Sequence, residues 1–249
     1  MQKQRLVVSE QFYSLQGEGP SVGRPALFLR LAGCNLNCTG FSYVDPSNGE
    51  HLGCDTKLVW QKGKAYSIDA LLNEWQRDSW LEKLTAGVHL VITGGEPLLQ
   101  QSQLEYFLRS LDLSLQSSLS YLEMETNATL LPNAYLSERI NQFNVSPKLS
   151  SSLEPKAKAY QEKILQHFVD RPQAIFKFVI QSEKDVIEVI EHYQKPFNIP
   201  PQRIWLMPEG GTLATLQPKM PMVAELCKQY HFNFSPRLHI HLWDQATGV

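Results

Sequence analysis

Cysteine is scarce in this chain of 249 residues: there are four, with Cys34, Cys38 and Cys54 in one short stretch and Cys227 far away. A secreted disulfide framework needs denser, paired cysteines in a smaller domain. Three clustered thiols point instead to metal ligands or redox groups in a reducing compartment. A surplus of one charge is also missing. The 23 basic and 25 acidic side chains leave a formal charge of -2, which argues against a protein built to bind a nucleic-acid backbone. No apolar run approaches the roughly 18 residues of a membrane span. The opening MQKQRLVVSE lacks the apolar core of a signal peptide. Neither a repeat period nor a long low-complexity tract occurs. A cytoplasmic chain with one catalytic domain over 1–249 is the expectation, without membrane or direct nucleic-acid partners.

What the chain does contain is an alternation of two patterns. Short β-branched or aromatic runs occupy 25–32, 88–93, 120–126, 143–146, 174–180, 203–207 and 237–243. Several are apolar at consecutive positions, as in strands covered on both faces. Between them, Ile68, Leu71, Leu72 and Trp75 form a helical stripe, as do Leu104, Phe107, Leu108 and Leu111. Val186, Val189, Ile190 and Tyr193 form another, after a Ser182–Asp185 capping box. Further helices are predicted over 157–168 and 220–230. Helices between buried strands imply crossover units and a mostly parallel sheet. The predicted class is α/β, a partial (β/α) barrel with a hairpin-like N-terminal addition.

Polar and glycine residues recur where these strands end. Cys34 follows the first run, Thr93-Gly94-Gly95-Glu96-Pro97 the second and Glu125-Thr126-Asn127 the third; Ser146-Pro147-Lys148 and Met207-Pro208-Glu209-Gly210 follow later ones. In parallel β/α architectures the carboxyl ends of the strands carry the site.

Cys34 and Cys38 are four positions apart, and Cys54 enters after fifteen more residues. Soft thiolates select zinc, copper(I) or iron–sulfur clusters. Three cysteines without a fourth leave one iron of a cubane open; His51 would complete a four-ligand zinc site; unmetallated thiols are the third reading. Cys227 sits with Met222, Val223 and Leu226 on the apolar side of its predicted helix and reads as a small core residue. His239, His241 and Trp243 alternate with Leu238, Ile240 and Leu242, which predicts a strand with one aromatic face.

Taken together, Cys34-Asn-Leu-Asn-Cys38, Cys54-Asp55-Thr56 and Thr93-Gly94-Gly95-Glu96-Pro97 resemble the radical S-adenosylmethionine superfamily. Gln16-Gly17-Glu18-Gly19, Phe28-Leu29-Arg30-Leu31-Ala32-Gly33, Ser146-Pro147-Lys148, Lys177-Phe178-Val179 and Arg237-Leu238-His239 narrow the resemblance to the 7-carboxy-7-deazaguanine synthases. One feature departs from the common pattern. Phe41 stands where a third cysteine is usual, so 39–53 looks like an insertion in the cluster loop.

The resemblance implies ring contraction of 6-carboxy-5,6,7,8-tetrahydropterin with loss of ammonia. It implies a [4Fe-4S] cluster on Cys34, Cys38 and Cys54, S-adenosylmethionine on the open iron, and Mg2+ at Thr56. Gly53, Asp55, Gly94, Gly95, Glu96, Ser146, Pro147 and Lys148 fall at cofactor positions. Leu15, Gln16, Gly17, Arg30, Thr93 and Val249 fall at substrate positions, with Glu18 placing its loop. A flavodoxin-like or other electron donor and a homodimer are implied as well. Two rival readings are another radical enzyme, such as a glycyl-radical activase, and a zinc-stabilised binding module.

Overall fold

A computed structural model describes residues 5–116, 121–246 and 248. Eleven strands are present among these residues. The first, β1 (Arg5–Leu15), turns back into β2 (Pro25–Leu31), and the short β3 (Tyr43–Val44) and β4 (His51–Gly53) form a separate hairpin. Next come β5 (Lys64–Ser67), β6 (His89–Gly94), β7 (Leu122–Thr126) and β8 (Gln142–Val145), then β9 (Ala174–Ile180), β10 (Ile204–Pro208) and β11 (Asn233–Phe234).

Nine strands share one sheet in the order β11-β10-β9-β8-β7-β6-β2-β1-β5. From β2 to β11 every pairing in this sheet is parallel and follows chain order, as expected when helical crossovers join successive strands. Only β1, the N-terminal addition, runs antiparallel to its neighbours β2 and β5. Among the described residues no pairing joins β11 to β5, so the array is an open, partial barrel.

Alternate side chains on each strand go to opposite faces, and the two faces differ sharply. The outer face contributes Leu27, Leu29, Leu90, Ile92, Met124, Phe143, Phe176, Phe178 and Leu206 to one contiguous core. The predicted helical stripes close over it: Leu71 and Trp75, Phe107 and Leu111, Val186 and Val189 are all buried there. Trp75 meets Phe107 edge-on with ring centroids 5.3 Å apart. The inner face carries a small apolar cluster, Ala26, Phe28 and Val91 with Phe12, and farther round Val179 and Met207. Elsewhere it buries Thr93, Glu123, Asn144 and Lys177. Burying that much polarity is costly unless each group is paired, which marks this face as the functional one.

Two local expectations are corrected. The 237–243 segment is a helix, Leu238–Trp243, and not a strand. The sheet ends at the two-residue β11, so an extended 237–243 would leave its amides and carbonyls without a ladder partner. The helix satisfies them locally, through Ile240 N to Arg237 O at 3.0 Å and Asp244 N to Ile240 O at 2.9 Å. Its alternate residues therefore do not share a face: His239 is half-buried whereas His241 is exposed. The single helix expected at 157–168 is two, Lys156–Ala159 and Glu162–Val169, parted by extended backbone at Tyr160. Ser120, at the start of the third predicted strand, lies outside the described residues.

Candidate functional site

Cys34 leaves the end of β2 one residue after Gly33, whose φ is +94°. Asn127, beyond β7, directs its amide nitrogen to Asn35 Oδ1 at 3.0 Å and lies 3.9 Å from Cys34 Sγ. Cys38 adopts a left-handed backbone, φ +46°. That conformation is held by the Glu154 carboxylate, which accepts hydrogen bonds from the backbone N–H groups of Asn37 and Cys38. The β3–β4 hairpin then returns the chain, and Gly53 (φ +76°) lies so close to the second cysteine that a Cβ would fall 2.4 Å from Cys38 O. The hairpin thus returns the chain so that Cys54 lines the same cavity as Cys34 and Cys38.

Burial pushes the Cys34 thiol up, and it pushes Cys38 up to about 12. In both cases Lys148 opposes the rise while neighbouring thiols add to it. His51 is exposed and bonds through Nε2 to Phe41 O at 2.8 Å, so it does not complete a zinc site with the cysteines. Among the described residues no three His, Cys, Asp or Glu side chains close on a single metal ion. The three thiols instead edge a shared cavity. Cys227 is buried elsewhere, with its Sγ 3.4 Å from Asn233 O.

The end of β6 passes directly beneath the first cysteine. A Cβ on Gly95 would lie 2.4 Å from Cys34 Cβ, and one on Gly94 would lie 2.4 Å from Leu31 O. Glycine is required at both by close approach. Glu96 is fully buried behind this turn and does not line the cavity. Its carboxylate accepts from Leu98 N at 3.0 Å, Asn127 N at 2.7 Å and Thr126 Oγ1 at 3.0 Å, lacing β6 to β7. Burial pushes it up to about 7 against the pull of those donors.

Farther round the rim, Lys148 Nζ bonds to Ser146 O and Oγ at 2.9 and 3.0 Å. Both residues line the cavity, but Pro147 between them does not. On the opposite side Arg30 and Thr93 face each other in register on β2 and β6. Arg30 Nε donates to Glu10 Oε2 at 3.1 Å. Thr93 Oγ1 donates to Glu125 Oε2 at 2.8 Å, and Gln16 Nε2 reaches Glu125 Oε1 at 3.5 Å.

The cavity so enclosed measures about 330 Å³ and sits at the carboxyl ends of the parallel strands. Leu15, Gln16, Gly17, Arg30, Thr93, Gly94, Gly95, Ser146 and Lys148 line it, with Cys34, Cys38, Gly53, Cys54, Asp55 and Thr56 from the cluster loop. Val249 lies outside the described residues. Among the described residues no helix is long and apolar enough to cross a membrane.

No family model matches the chain. Over 246 aligned residues it is 32% identical to the 7-carboxy-7-deazaguanine synthase of Pyrobaculum aerophilum, covering 98% of this chain and 97% of that protein. The chain belongs to the 7-carboxy-7-deazaguanine synthase family. The synthase of Hyperthermus butylicus is 35% identical, over 94% of this chain and 92% of its own. The crystal structure of QueE from Escherichia coli matches in fold with a TM-score of 0.62 at 24% identity, covering 94% of this chain and 95% of that one.

In this member of the 7-carboxy-7-deazaguanine synthase family, the site also depends on a buried ionic chain whose pairings sequence reasoning missed. Lys177 on β9 pairs with Glu18, and Arg237 Nε donates to the other Glu18 oxygen at 3.1 Å. Arg237 NH2 then reaches Asp55 Oδ2 at 2.7 Å, and its NH1 donates to Gly210 O at 2.5 Å. Burial alone would raise the Glu18 carboxyl; the Lys177 and Arg237 charges outweigh it and hold the group well below the usual carboxylate range. Glu125 joins two expected substrate residues, and Glu154 secures Cys38. Glu18, Asp55, Lys177 and Arg237 stand in the motifs that carry the family resemblance, but their pairing was not legible, since the partners are distant in the chain.

Proposed function

We propose that this chain converts 6-carboxy-5,6,7,8-tetrahydropterin to 7-carboxy-7-deazaguanine by radical-mediated ring contraction with loss of ammonia, as a single catalytic domain. The observation that carries the reading is one cavity lined by three thiols at one edge and by the Arg30–Thr93 pair at another, in a chain related to the synthases along almost its whole length. When bound and reduced, a [4Fe-4S] cluster with S-adenosylmethionine supplies a 5′-deoxyadenosyl radical.

The residues fit that group. Cys34, Cys38 and Cys54 offer three soft donors, and the collisions awaiting any Cβ at Gly53 and Gly95 leave the thiol loop no slack. Gly94, Gly95, Ser146 and Lys148 present backbone and polar groups for the methionyl end, and Glu96 and Pro147 shape that edge from behind. Arg30 keeps its Nε on Glu10 and turns the rest of its guanidinium fork to the pterin carboxylate. Thr56, whose Oγ1 lies 3.4 Å from Cys54 Sγ, gives its hydroxyl oxygen to Mg2+, with Asp55 beside it. Gln16, Gly17, Leu15 and Thr93 contact the pterin ring edges.

Substrate and product differ by one ammonia, so the reaction needs no net oxidant. This fits use of S-adenosylmethionine as a cofactor, with an electron donor of flavodoxin or similar type. A cytoplasmic homodimer is the assembly we infer from the family. The test is anaerobic turnover of the reconstituted protein, counting 7-carboxy-7-deazaguanine and ammonia. Cofactor cleavage with the pterin untouched would assign the chain another substrate.

A further inference from the structure

The β3–β4 hairpin lies between Cys38 and Cys54, and the function proposed above uses none of its aromatic side chains. Its base is pinned at several points. A Cβ on Gly40 would come within 2.0 Å of Ser151 O, and Gly40 O accepts from Gln181 Nε2 at 3.0 Å. Buried Glu209 accepts from both N and Oγ of Ser42, at 2.9 and 2.7 Å, and pairs with Lys219. Tyr43 lies across Gly211, where a Cβ would fall 2.5 Å from the ring carbon Cδ2. The tip, 46–50, is exposed. A segment tied this firmly at its base is a wall of the cavity.

Phe41 and Tyr43, from that base, both line the cavity. They stand at its β9–β10 end, since Glu209 and Gly211, their anchors, continue directly from β10. Val179 and Met207, opposite each other in register on β9 and β10, line the cavity as well. Phe41, Tyr43, Val179 and Met207 give this end apolar surface, beside the Glu18–Arg237–Asp55 ion pairs. At the other end Arg30, Thr93 and Glu125 gather hydrogen-bonding groups next to Phe12 and Phe28. A flat ring needs apolar surface against its face and hydrogen bonds along its edge.

We propose that Tyr43, delivered by the hairpin, packs against the face of a planar nitrogen heterocycle bound in the cavity and helps select it. The inference rests on the proposed function, which supplies two such rings: the adenine of S-adenosylmethionine and the pterin. Gly211 permits the arrangement, because any side chain there would displace the Tyr43 ring.

Anaerobic calorimetry on the cluster-loaded protein tests this with two separate probes, S-adenosylhomocysteine and the carboxytetrahydropterin. Tyr43→Ala should weaken one probe by about tenfold and Tyr43→Phe by less than about twofold, because the ring face and not the hydroxyl makes the contact. Bound iron should be unchanged in both variants, and the weakened probe identifies the ring. Wild-type affinity for both probes in Tyr43→Ala overturns the proposal. So does loss of iron, or an equal loss for both probes, either of which would make Tyr43 a support of the cluster loop. If the unsubstituted protein binds S-adenosylhomocysteine but not the pterin, the pterin assignment fails and the Tyr43 contact is judged on the first probe alone.

Discussion

Arg237 donates to Asp55 across 2.7 Å, and this contact joins the C-terminal segment to the loop that carries Cys54 and Thr56. All three guanidinium nitrogens are engaged, by Glu18, Gly210 and Asp55, so Arg237 holds protein to protein although it lines the cavity. Breaking a buried pair by removing one partner costs about 3–5 kcal/mol. Arg237→Met should therefore lower unfolding stability by about 3 kcal/mol, towards the low end because Asp55 retains some solvent. Arg237→Lys should recover only part, since one ammonium cannot span three partners. Urea unfolding measures both; a loss below about 1 kcal/mol in Arg237→Met would contradict the role.

The Glu18 carboxylate gives the same ionic chain a pH signature. Its folded value is depressed below its ordinary 4.5 by Lys177 and Arg237, which outweigh burial. A depressed acid contributes stability above its unfolded value and loses it as pH falls toward the folded one. The stability gap between wild type and Glu18→Gln should stay constant from about pH 8 to 5 and narrow only below about 4.5. A gap that closes between pH 5 and 8 would show that Glu18 is not held as the partner of Lys177 and Arg237.

Gly53 and Gly49 separate backbone strain from close approach. Both have φ +76°, but a Cβ on Gly53 meets Cys38 O and Thr39, whereas one on Gly49 meets nothing within 4 Å. Gly49→Ala should cost roughly 1 kcal/mol and keep iron. Gly53→Ala should push the third thiol away from the second and lose most of the bound iron. Equal iron content in the two variants would refute the close-approach argument.

Arg30 divides its guanidinium between Glu10 and the cavity. Arg30→Met should weaken pterin binding by about 2–5 kcal/mol while keeping iron and S-adenosylmethionine, and Arg30→Lys should recover part of it. Wild-type pterin affinity in Arg30→Met, measured by anaerobic calorimetry, would remove the carboxylate assignment. Equal loss of cofactor binding would make Arg30 a support of the rim.

The α/β class was legible because outer-face residues such as Leu90, Ile92, Phe176 and Phe178 obey simple packing rules, and because Gly94, Glu125 and Ser146 mark strand ends where a packed core has no use for them. The 237–243 segment shows the limit of such patterns. Alternating His and aliphatic residues satisfy a strand rule, yet whether a strand forms depends on a neighbour that sequence does not reveal. The ionic chain was hidden for a related reason. Glu18 lies 159 positions from Lys177 and 219 from Arg237, and only the curvature of the sheet brings them together. Glu96 was visible as part of a motif, but its burial against Thr126 and Asn127 was not.

The most direct measurement is the ratio of product formed to S-adenosylmethionine consumed, followed anaerobically with the carboxytetrahydropterin, Mg2+ and a reductant. Because substrate and product differ only by ammonia, the account predicts 7-carboxy-7-deazaguanine in several-fold molar excess over cofactor cleaved, with ammonia equal to product. No 7-carboxy-7-deazaguanine from a cluster-loaded protein that still cleaves S-adenosylmethionine would contradict it.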